Sequence, residues 1–475
     1  MKNFKNLSKT IAIFALAIFA LSCNDDDDNP IVVEEQNIVE IALGAPELSV
    51  LVQALTAADG DLVNVLQGDG PFTVLAPTNS AFVAFLNANG FGSLDDVPTD
   101  VLSQILLNHV IMADVTSSDL ASLGAGYASG SATNASGDNI SIYFDASNGV
   151  RFNNTAAVTT ADIDATNGTI HIIDAVIGLP DVVDHAIANP AFSSLVTALG
   201  AADGNLVSVL QGDGPFTVLA PDNDAFATFL DGADLGGVDT AVLSQILLNH
   251  VIVGSSIKAQ DLISLGAGYA NTAATGAGGN AMSLYFNTTD GVTFNGISSV
   301  FQADVVGTNG VIHAVNTVID IPTVVTFAAA DPNFSTLVTA LTELTPDTDF
   351  VSILSRTEAG SPIDGINPDF TVFAPTNDAF AALDAIPGET VLTQVLLHHV
   401  ISEANIASGD LNNPGDTMAT TLQGDDITIT RPGTDNIPAN ITDGSGATDI
   451  GVIAVDVQAG NGVIHVINKV MIPNL

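Results

Sequence analysis

The stretch FTVLAPTN at Phe72–Asn79 decides the fold of this chain, because near-copies recur as FTVLAPDN at Phe216–Asn223 and FTVFAPTN at Phe370–Asn377. Two further phrases accompany each copy. The second is LSQILLNHVI ending at Ile111 and again at Ile252, and LTQVLLHHVI ending at Ile401. The third is NGTIHIID from Asn167, NGVIHAVN from Asn309 and NGVIHVIN from Asn461. The three phrases keep the same order each time, which indicates an internal repeat.

The period of this repeat is the size of a whole domain. Phe72 and Phe216 are 144 residues apart, and Phe216 and Phe370 are 154 residues apart. Solenoid repeats have units of roughly 50 residues or fewer, whereas a single domain has about 50–250 residues. We therefore divide the chain into three copies of one domain: unit one at 37–180, unit two at 181–322 and unit three at 323–475.

The charge of the chain excludes whole classes of partner. There are 8 Lys+Arg against 53 Asp+Glu among 475 residues, which gives a formal net charge of −45. Nucleic-acid binding needs a basic face, and this composition cannot build one. Direct docking on an anionic membrane surface is disfavoured for the same reason. The charge favours cations and basic partners.

The N-terminal residues 1–23 have the pattern of a signal peptide that ends at a single cysteine. Three lysines precede an apolar run at Ile11–Leu21, which is too short to span a bilayer. Cys23 follows and resembles the lipidated cysteine of bacterial lipoproteins, although Ala20 stands where a Leu is usual. The alternative is ordinary signal cleavage nearby, with Cys23 incidental. On the lipoprotein interpretation, a lipid on Cys23 is the only contact with a membrane.

Residues 24–36 have the composition of an acidic tether. Asp25–Asp28 directly follow the cysteine. This run resembles the surface-export signal of Bacteroidetes-type lipoproteins, and it is also what a solvated linker looks like. The two interpretations are compatible, and together they predict an outer-membrane lipoprotein exposed on the cell surface.

Each unit reads as α+β, with helices first and strands mostly later. In FTVLAP the alternation places Phe72, Val74 and Ala76 on one face of a strand. Pro77 ends the strand, and Thr78 or Asn79 can cap the helix that follows. The closing Asn-Gly pairs, such as Asn167-Gly168, predict type I′ turns in which both residues have positive φ.

Unit three departs from the other two. Leu341 to Phe370 is 29 residues, whereas Leu199 to Phe216 is 17, so unit three has a 12-residue insertion around SRTEAGSPIDGIN. We expect a surface loop, or alternatively a binding tip. Unit three also has no counterparts of Tyr127 and Tyr143, which unit two repeats as Tyr269 and Tyr285.

These phrases resemble the fasciclin-like (FAS1) domain, whose signatures are a TVFAPTN…AF segment and a closing NG-x-IHVID segment with a His-containing segment between them. The resemblance covers nearly the whole chain after the tether. It implies three tandem domains, each an α+β wedge of two β-sheets with helices along one side. It also implies non-enzymatic adhesion outside the cell. Many members have Tyr-His in the middle segment, where this chain has Asn108-His109, so the integrin contact tied to that region is not carried over.

The motif residues that the resemblance singles out are expected to be structural. They are Pro77, Asn79, His109 and His171 in unit one, Pro221, Asn223, His250 and His313 in unit two, and Pro375, Asn377, His399 and His465 in unit three.

The two histidines of each unit could instead form a metal site or an acid–base pair. Asp162 or Asp174 could complete such a site in unit one, but Asn316 and Asn468 replace Asp174 in the other units. Each histidine is flanked by apolar residues, which favours a buried ring that ties a strand to a neighbouring backbone.

Other chemistry has no support in the sequence. There is no G-x-S-x-G elbow, no phosphate loop between a strand and a helix, and no repeated pair of carboxylates. The Asp59–Asp61 and Asp25–Asp28 segments do not complete an EF-hand pattern. We expect no catalytic residues, no metal and no cofactor.

The sequence therefore predicts a cell-surface lipoprotein that adheres to an extracellular protein, glycan or matrix ligand through three domains. The alternative is a surface module that captures a soluble polysaccharide or protein beside a transport system. Sugar capture would call for exposed aromatic side chains, and the chain has no Trp and 4 Tyr. An enzyme would need a polar cleft that contains both histidines of a unit.

Overall fold

The computed structural model describes residues 35–360 and 364–475. Cys23, the signal-peptide segment and most of the tether lie outside these residues. In the described part of the chain each unit contributes seven strands. The sequence-based α+β class is confirmed, and nearly the same succession of helices and strands recurs in all three units.

Helices precede most of the strands in each unit, and the bounds are as follows. Unit one has α1 Ile38–Gly44, α2 Ser49–Ala57, α3 Leu62–Leu66, β1 Phe72–Pro77, α4 Asn79–Ala88, α5 Thr99–Leu107, β2 Val110–Ile111, α6 Ser117–Leu123, β3 Ala125–Thr133, β4 Asn139–Asp145, β5 Arg151–Phe152, β6 Ala156–Ala165 and β7 Gly168–Ile173. Unit two has α7 Val182–Ala188, α8 Ser193–Ala201, α9 Leu206–Leu210, β8 Phe216–Pro221, α10 Asn223–Leu230, α11 Thr240–Asn249, β9 Val251–Val253, α12 Ala259–Leu265, β10 Ala267–Thr275, β11 Ala281–Asn287, β12 Thr293–Phe294, β13 Ser298–Gly307 and β14 Gly310–Val315. Unit three has α13 Val324–Ala330, α14 Ser335–Thr342, α15 Phe350–Leu354, β15 Phe370–Pro375, α16 Asn377–Ala381, α17 Glu389–Leu397, β16 Val400–Ile401, β17 Gly415–Thr420, β18 Asp426–Arg431, β19 Ala439–Thr442, β20 Ile450–Ala459 and β21 Gly462–Ile467.

The repeated FTVLAP phrase forms a strand that is paired on both sides, which we call the central strand of each unit. β1 runs parallel to the closing strand β7, with Phe72 opposite Gly168, and antiparallel to β2. The remaining strands follow in the order β7-β6-β5-β4-β3, and in unit one β3 also pairs with β2 and closes a barrel. The equivalent strands of units two and three keep this order in open sheets.

The central strand is buried on both faces, so each unit has two cores. Phe72, Val74 and Ala76 share one face, as the alternation predicts, and that face packs against the helices. Leu75 points the other way and packs between the sheets against Phe144 and Phe152 and their neighbours. A strand covered on both sides has no polar positions to alternate with, which explains why the phrase is so apolar.

The first helix of each unit is hydrogen-bonded to the closing hairpin of the same unit. The backbone N–H of Ile38 at the start of α1 donates to the side-chain oxygen of Asn167 at 3.0 Å. Val182 and Val324 make the same bond to Asn309 and Asn461.

Within the described residues, no single helix is both long and apolar enough to cross a membrane. The bent pair of helical segments Ile38–Gly44 and Pro46–Ala57 passes by composition and combined length only.

Candidate functional site: the motif residues and the joints between units

The histidine after α5 is buried and uses both ring nitrogens for the backbone. His109 Nε2 accepts a hydrogen bond from the N–H of Ile177 at 2.9 Å, so Nδ1 carries the proton and donates to the carbonyl of Ile105 at 2.7 Å. Equivalent bonds join His250 to Ile246 and Ile319, and His399 to Val395 and Met471.

The histidine of the closing strand has the opposite tautomer. His171 Nδ1 accepts from the N–H of Asp162 at 3.2 Å, so Nε2 carries the proton and donates to the carbonyl of Val115 at 2.9 Å. His313 and His465 make the equivalent bonds, with Asp304 and Ile257 and with Asp456 and Ile406 respectively. The two histidines of a unit are therefore hydrogen-bonded separately, and neither keeps a free nitrogen for a metal or a proton transfer.

The carboxylates that could complete a site are engaged elsewhere. Asp162 accepts from the N–H of Ser117 at 2.7 Å and lies 3.9 Å from Nδ1 of His171, farther than a hydrogen bond. Asp174 accepts from the N–H of Ala157 at 2.7 Å. Among the described residues, no group of three or more His, Cys, Asp or Glu side chains is arranged to bind a metal ion.

Burial determines the protonation state of the middle-segment histidine in each unit. It lowers the pKa of His109, His250 and His399 to about 4, because a charged imidazole would lose its hydration inside the core. Burial also lowers the pKa of His313 and His465. A group with a pKa of about 4 is neutral near pH 7, which suits a hydrogen-bonded structural ring.

Of the two residues that the sequence offered as caps of the helix after the proline, the threonine caps it and the asparagine binds the start of another helix. Thr78 caps α4, since its hydroxyl accepts from the N–H of Ala81. Asn79 Oδ1 instead accepts from the N–H of Val50 in α2 at 2.8 Å, and its amide donates to the carbonyl of Pro46 at 2.9 Å. Asn223 and Asn377 make the equivalent bonds in units two and three. The preceding prolines, Pro77, Pro221 and Pro375, end the central strands.

The prediction of type I′ turns at the Asn-Gly pairs is wrong. In unit one the hairpin pairs Ala165 with Gly168, so the turn residues are Thr166 and Asn167, and neither has a positive φ. Asn167 is selected for its side chain: its amide donates to the carbonyls of Leu66 and Gly68, both at 2.8 Å. The glycine is required by space, because a Cβ on Gly168 would lie 1.9 Å from the carbonyl oxygen of Phe72.

The residue before the middle-segment histidine is asparagine in units one and two and histidine in unit three, and its hydrogen bonds differ in each unit. In unit two the hydroxyl of Thr272 lies 3.2 Å from both Asn249 Oδ1 and the carbonyl oxygen of Met282, so its one proton is shared between these two acceptors. In unit one Gly130 takes the place of Thr272, and the buried Oδ1 of Asn108 has no hydrogen-bond partner among the described residues. In unit three His398 replaces the asparagine; its Nε2 accepts from the N–H of Gly444, and its Nδ1 pairs with the hydroxyl of Thr421.

The joints between units are built from strands, which the sequence did not reveal. β4 of unit one packs against β13 of unit two, where Ser141 Oγ accepts from the N–H of Val306 at 3.0 Å. The same contact recurs between β11 and β20, where Ser283 accepts from Gln458. Both bonds are buried, so each joint is a packed interface. Lys258 of unit two also pairs with Asp138 of unit one.

Pairs of tyrosines complete each joint. Tyr127 lies edge-on to Tyr143 and to His185 of unit two, with ring centroids 5.3 and 5.8 Å apart, and its hydroxyl is 3.2 Å from the amide of Asn189. The second joint repeats the pattern: Tyr269 packs on Tyr285 and on Phe327 of unit three, and donates to Asp331 at 3.0 Å.

Unit three has no tyrosine pair at this place. Its cross-strand pair is Asp416 and Thr430, joined by a 2.7 Å hydrogen bond. The tyrosines of units one and two are visible in the sequence, but their place in the joints needed the register of β3 and β10.

The insertion of unit three lies after α15. The Arg356 guanidinium forms a two-pronged ion pair with Asp364, at 2.9 and 2.7 Å, and donates to the carbonyl of Ile366. Residues 361–363 lie outside the described part of the chain.

Comparison with known proteins matches the model of the Fasciclin domain to residues 46–180, 190–322 and 332–473. Human periostin is 28% identical over 88% of the chain, and ig-h3 from Sus scrofa is 30% identical over 71%. The matches span 45% and 46% of those two relatives, so the chain corresponds to about half of their length. Protein sll1483 from Synechocystis is 39% identical over 30% of the chain and 72% of its own length.

Among solved structures, the chain is similar to a FAS1 domain pair from the insect cell adhesion molecule Fasciclin I. The match covers 57% of this chain and 96% of that one, with 17% identity and a TM-score of 0.36.

Proposed function

This chain belongs to the fasciclin domain family, and on that premise we propose that it is a non-enzymatic adhesion protein of the cell surface that binds extracellular protein, glycan or matrix ligands. The observation that carries the proposal is the threefold repetition of one domain with equivalent packed joints. Several weak sites held at fixed spacing bind a repetitive surface more tightly than any one of them, because the later contacts form at high effective concentration.

The anchoring part of the proposal rests on the sequence. A lipid on Cys23 would hold residues 24–36 as a tether at the outer membrane and leave the three units facing outward. One acyl group gives only marginal membrane binding, so stable anchoring requires more than one chain.

Two exposed leucines are candidate contact residues. Leu123 ends α6 and is 68% exposed, and Leu265 ends α12 and is 69% exposed. A single exposed leucine is common on protein surfaces. The same leucine at the same place in consecutive units provides two identical contacts one unit apart, which is what multivalent adhesion uses. Unit three has a 3-10 turn at Ser408–Asp410 in this region.

The alternative function, capture of a soluble polysaccharide, has less support. Sugar platforms are exposed aromatic faces, but all four tyrosines of this chain are engaged in the two joints, and Phe301, 57% exposed, is the only strongly exposed aromatic side chain among the described residues. The buried, separately bonded histidines likewise offer no polar cleft for an enzyme.

Cells that display the protein test the proposal on surfaces coated with collagen or with dextran. We expect adhesion to decrease stepwise when the chain is truncated after Pro322 and then after Pro180, and to decrease when Leu123 and Leu265 are both replaced by serine. Cys23→Ala should release the protein into the medium while the purified protein still binds the coated surface. Equal adhesion by the full chain and both truncations would refute adhesion through repeated units.

A further inference from the structure

Unit three contains an apolar cavity of about 250 Å³ between its helices and its central strand. Its walls come from α13, α14, α15 and β15, with Val324, Leu337, Leu354 and Val372 among the lining residues. The equivalent space in unit two, bounded by the same elements, is about 20 Å³. Unit two therefore shows that the fold does not require the larger cavity.

The helix connection beside the cavity is longer in unit three than in unit two. Phe350 lies nine positions after Leu341, whereas Leu206 lies seven positions after Leu199, so the connection before α15 is longer by two residues. Leu199 is buried in unit two, but Leu341 is half-buried and lines the cavity.

The burial of residues on the first helix, compared between units two and three, indicates where the cavity opens. Val183 and Ala186 of α7 are buried, and their counterparts Val325 and Ala328 of α13 are half-buried. Ala329 and Val351 on the rim are exposed, which gives the cavity an entrance between α13 and α15.

The walls offer no polar anchor. The lining residue His399 uses both ring nitrogens for backbone atoms, and the hydroxyl of Thr342 donates to the carbonyl of Val338 at 2.8 Å. Buried water needs about 2–4 polar partners, so this space does not suit ordered water. A dry apolar cavity of about 150 Å³ accepts a benzene molecule, and this one is larger.

We propose that unit three binds one small neutral hydrophobic molecule in this cavity, of the size of a single aromatic ring with a short alkyl chain. The chemistry of the walls selects an apolar ligand, and the net charge of −45 disfavours an anionic one. This site is separate from the adhesive surface and does not depend on it.

Toluene is a suitable probe, with benzoate as the charged ligand of the same ring size. Isothermal titration of the purified protein should give one toluene site per chain and at least tenfold weaker binding of benzoate. Ala328→Leu adds a side chain inside the cavity and should weaken toluene at least tenfold. Ala84→Leu makes the same change on an exposed face of α4 and should leave the affinity unchanged.

A direct location keeps the test independent of the folding of any variant. In the wild-type protein, intermolecular NOEs from the toluene ring should reach the methyl groups of Leu337, Leu341 and Leu354. The proposal is overturned if toluene shows no saturable binding, if Ala328→Leu binds it as tightly as the wild type, or if the NOEs fall on other methyl groups.

Discussion

At the scale of the residue, the motif side chains act as connectors. His109 joins the end of α5 to the segment after β7, and His171 joins β7 to the loop before α6. Each uses two ring nitrogens on two backbone groups, which stops buried polar atoms from being left unpaired. The histidines, which could have indicated a metal site or an acid–base pair, instead stabilise the fold.

Replacing Thr272 by valine tests the buried asparagine of the middle segment. Valine keeps the shape but removes the hydroxyl, so Asn249 Oδ1 loses its donor and becomes like Asn108 of unit one. We expect unit two to lose roughly 1–3 kcal/mol of stability. Faster hydrogen exchange of unit two peptides, with unit one unchanged, would show it. Unchanged exchange in unit two would mean that the hydroxyl contributes nothing.

The reciprocal change is Gly130→Thr, which brings a hydroxyl to Asn108. A Cβ at Gly130 would lie 2.9 Å from Asn108 Oδ1, so the end of that side chain must shift. Because the new hydroxyl pairs a buried acceptor and the glycine leaves a strand, we expect unit one to gain about 1 kcal/mol. Slower hydrogen exchange in unit one is the measurement, and faster exchange would show that the added side chain does not fit.

At the scale of the element, one asparagine fastens the first helix of a unit to the closing hairpin. Asn309 accepts from the start of α7 and donates to the two carbonyls at the end of α9, Leu210 and Gly212. Three segments distant in sequence therefore meet at one side chain. Loss of the side chain would leave two carbonyls and one N–H without the partner that Asn309 supplies.

We expect Asn309→Ala to destabilise unit two by roughly 2–4 kcal/mol, since two carbonyls and one N–H lose a buried partner. Asn316→Ala is the matched control, because Asn316 is exposed and accepts only from its surroundings at the surface, from the N–H of Ser299 at 2.8 Å and the hydroxyl of Thr317 at 3.3 Å. Urea unfolding of both variants, with hydrogen exchange to locate the change, distinguishes them. Equal effects of the two changes would refute the fastening role.

At the scale of the whole molecule, the two joints repeat one design with different partners. Each has a buried serine-to-backbone bond and a tyrosine pair, but the first places His185 against the tyrosine where the second has Phe327. His185 donates from Nε2 to the carbonyl of Val306 at 3.0 Å, and its buried Nδ1 has no partner among the described residues. Two equivalent interfaces can therefore respond differently to solution conditions.

The serine bond is expected to hold the second joint. Ser283→Ala leaves the N–H of Gln458 buried without its acceptor, so we expect unit three to move more freely relative to unit two. Small-angle scattering should show a larger radius of gyration for the variant. Ser264→Ala, on the exposed face of α12, is the control and should leave the scattering unchanged.

Acid should destabilise the chain through its buried histidines. Burial lowers the pKa of His109, His185, His250 and His399 to about 4. Between pH 6.5 and about 4 the unfolded chain protonates these rings and the folded chain does not. Stability therefore falls as the pH is lowered through that window, by at most about 1.4 kcal/mol per pH unit for each histidine. Urea unfolding at pH 7.0, 5.5 and 4.5 measures the slope.

His185→Phe gives the first joint the phenylalanine of the second, and so isolates the contribution of His185 to the pH dependence of stability. Phenylalanine takes up no proton, so the slope of unfolding free energy against pH should be shallower in the variant than in the wild type. An identical slope would mean that His185 is already protonated, or accessible to water, in the folded joint.

The number of units, the α+β class, the FTVLAP strand with Phe72, Val74 and Ala76 on one face, and the family could all be predicted from the sequence. These depend on short phrases whose neighbours lie close along the chain or recur at a fixed period. The sequence left Thr78 and Asn79 open as helix caps and gave the wrong role for Asn167, because such residues can act through the backbone or through the side chain, and only the partners decide between the two.

The joints and the size of the cavity could not be predicted from the sequence. Ser141 and Val306 are 165 residues apart, and no local pattern records that they meet. The cavity is about 250 Å³ in unit three and about 20 Å³ in unit two, although the repeated phrases around both are nearly the same. Local patterning selects the elements, but the spacing between packed elements is a sum of many distant contacts and exists only in the folded molecule.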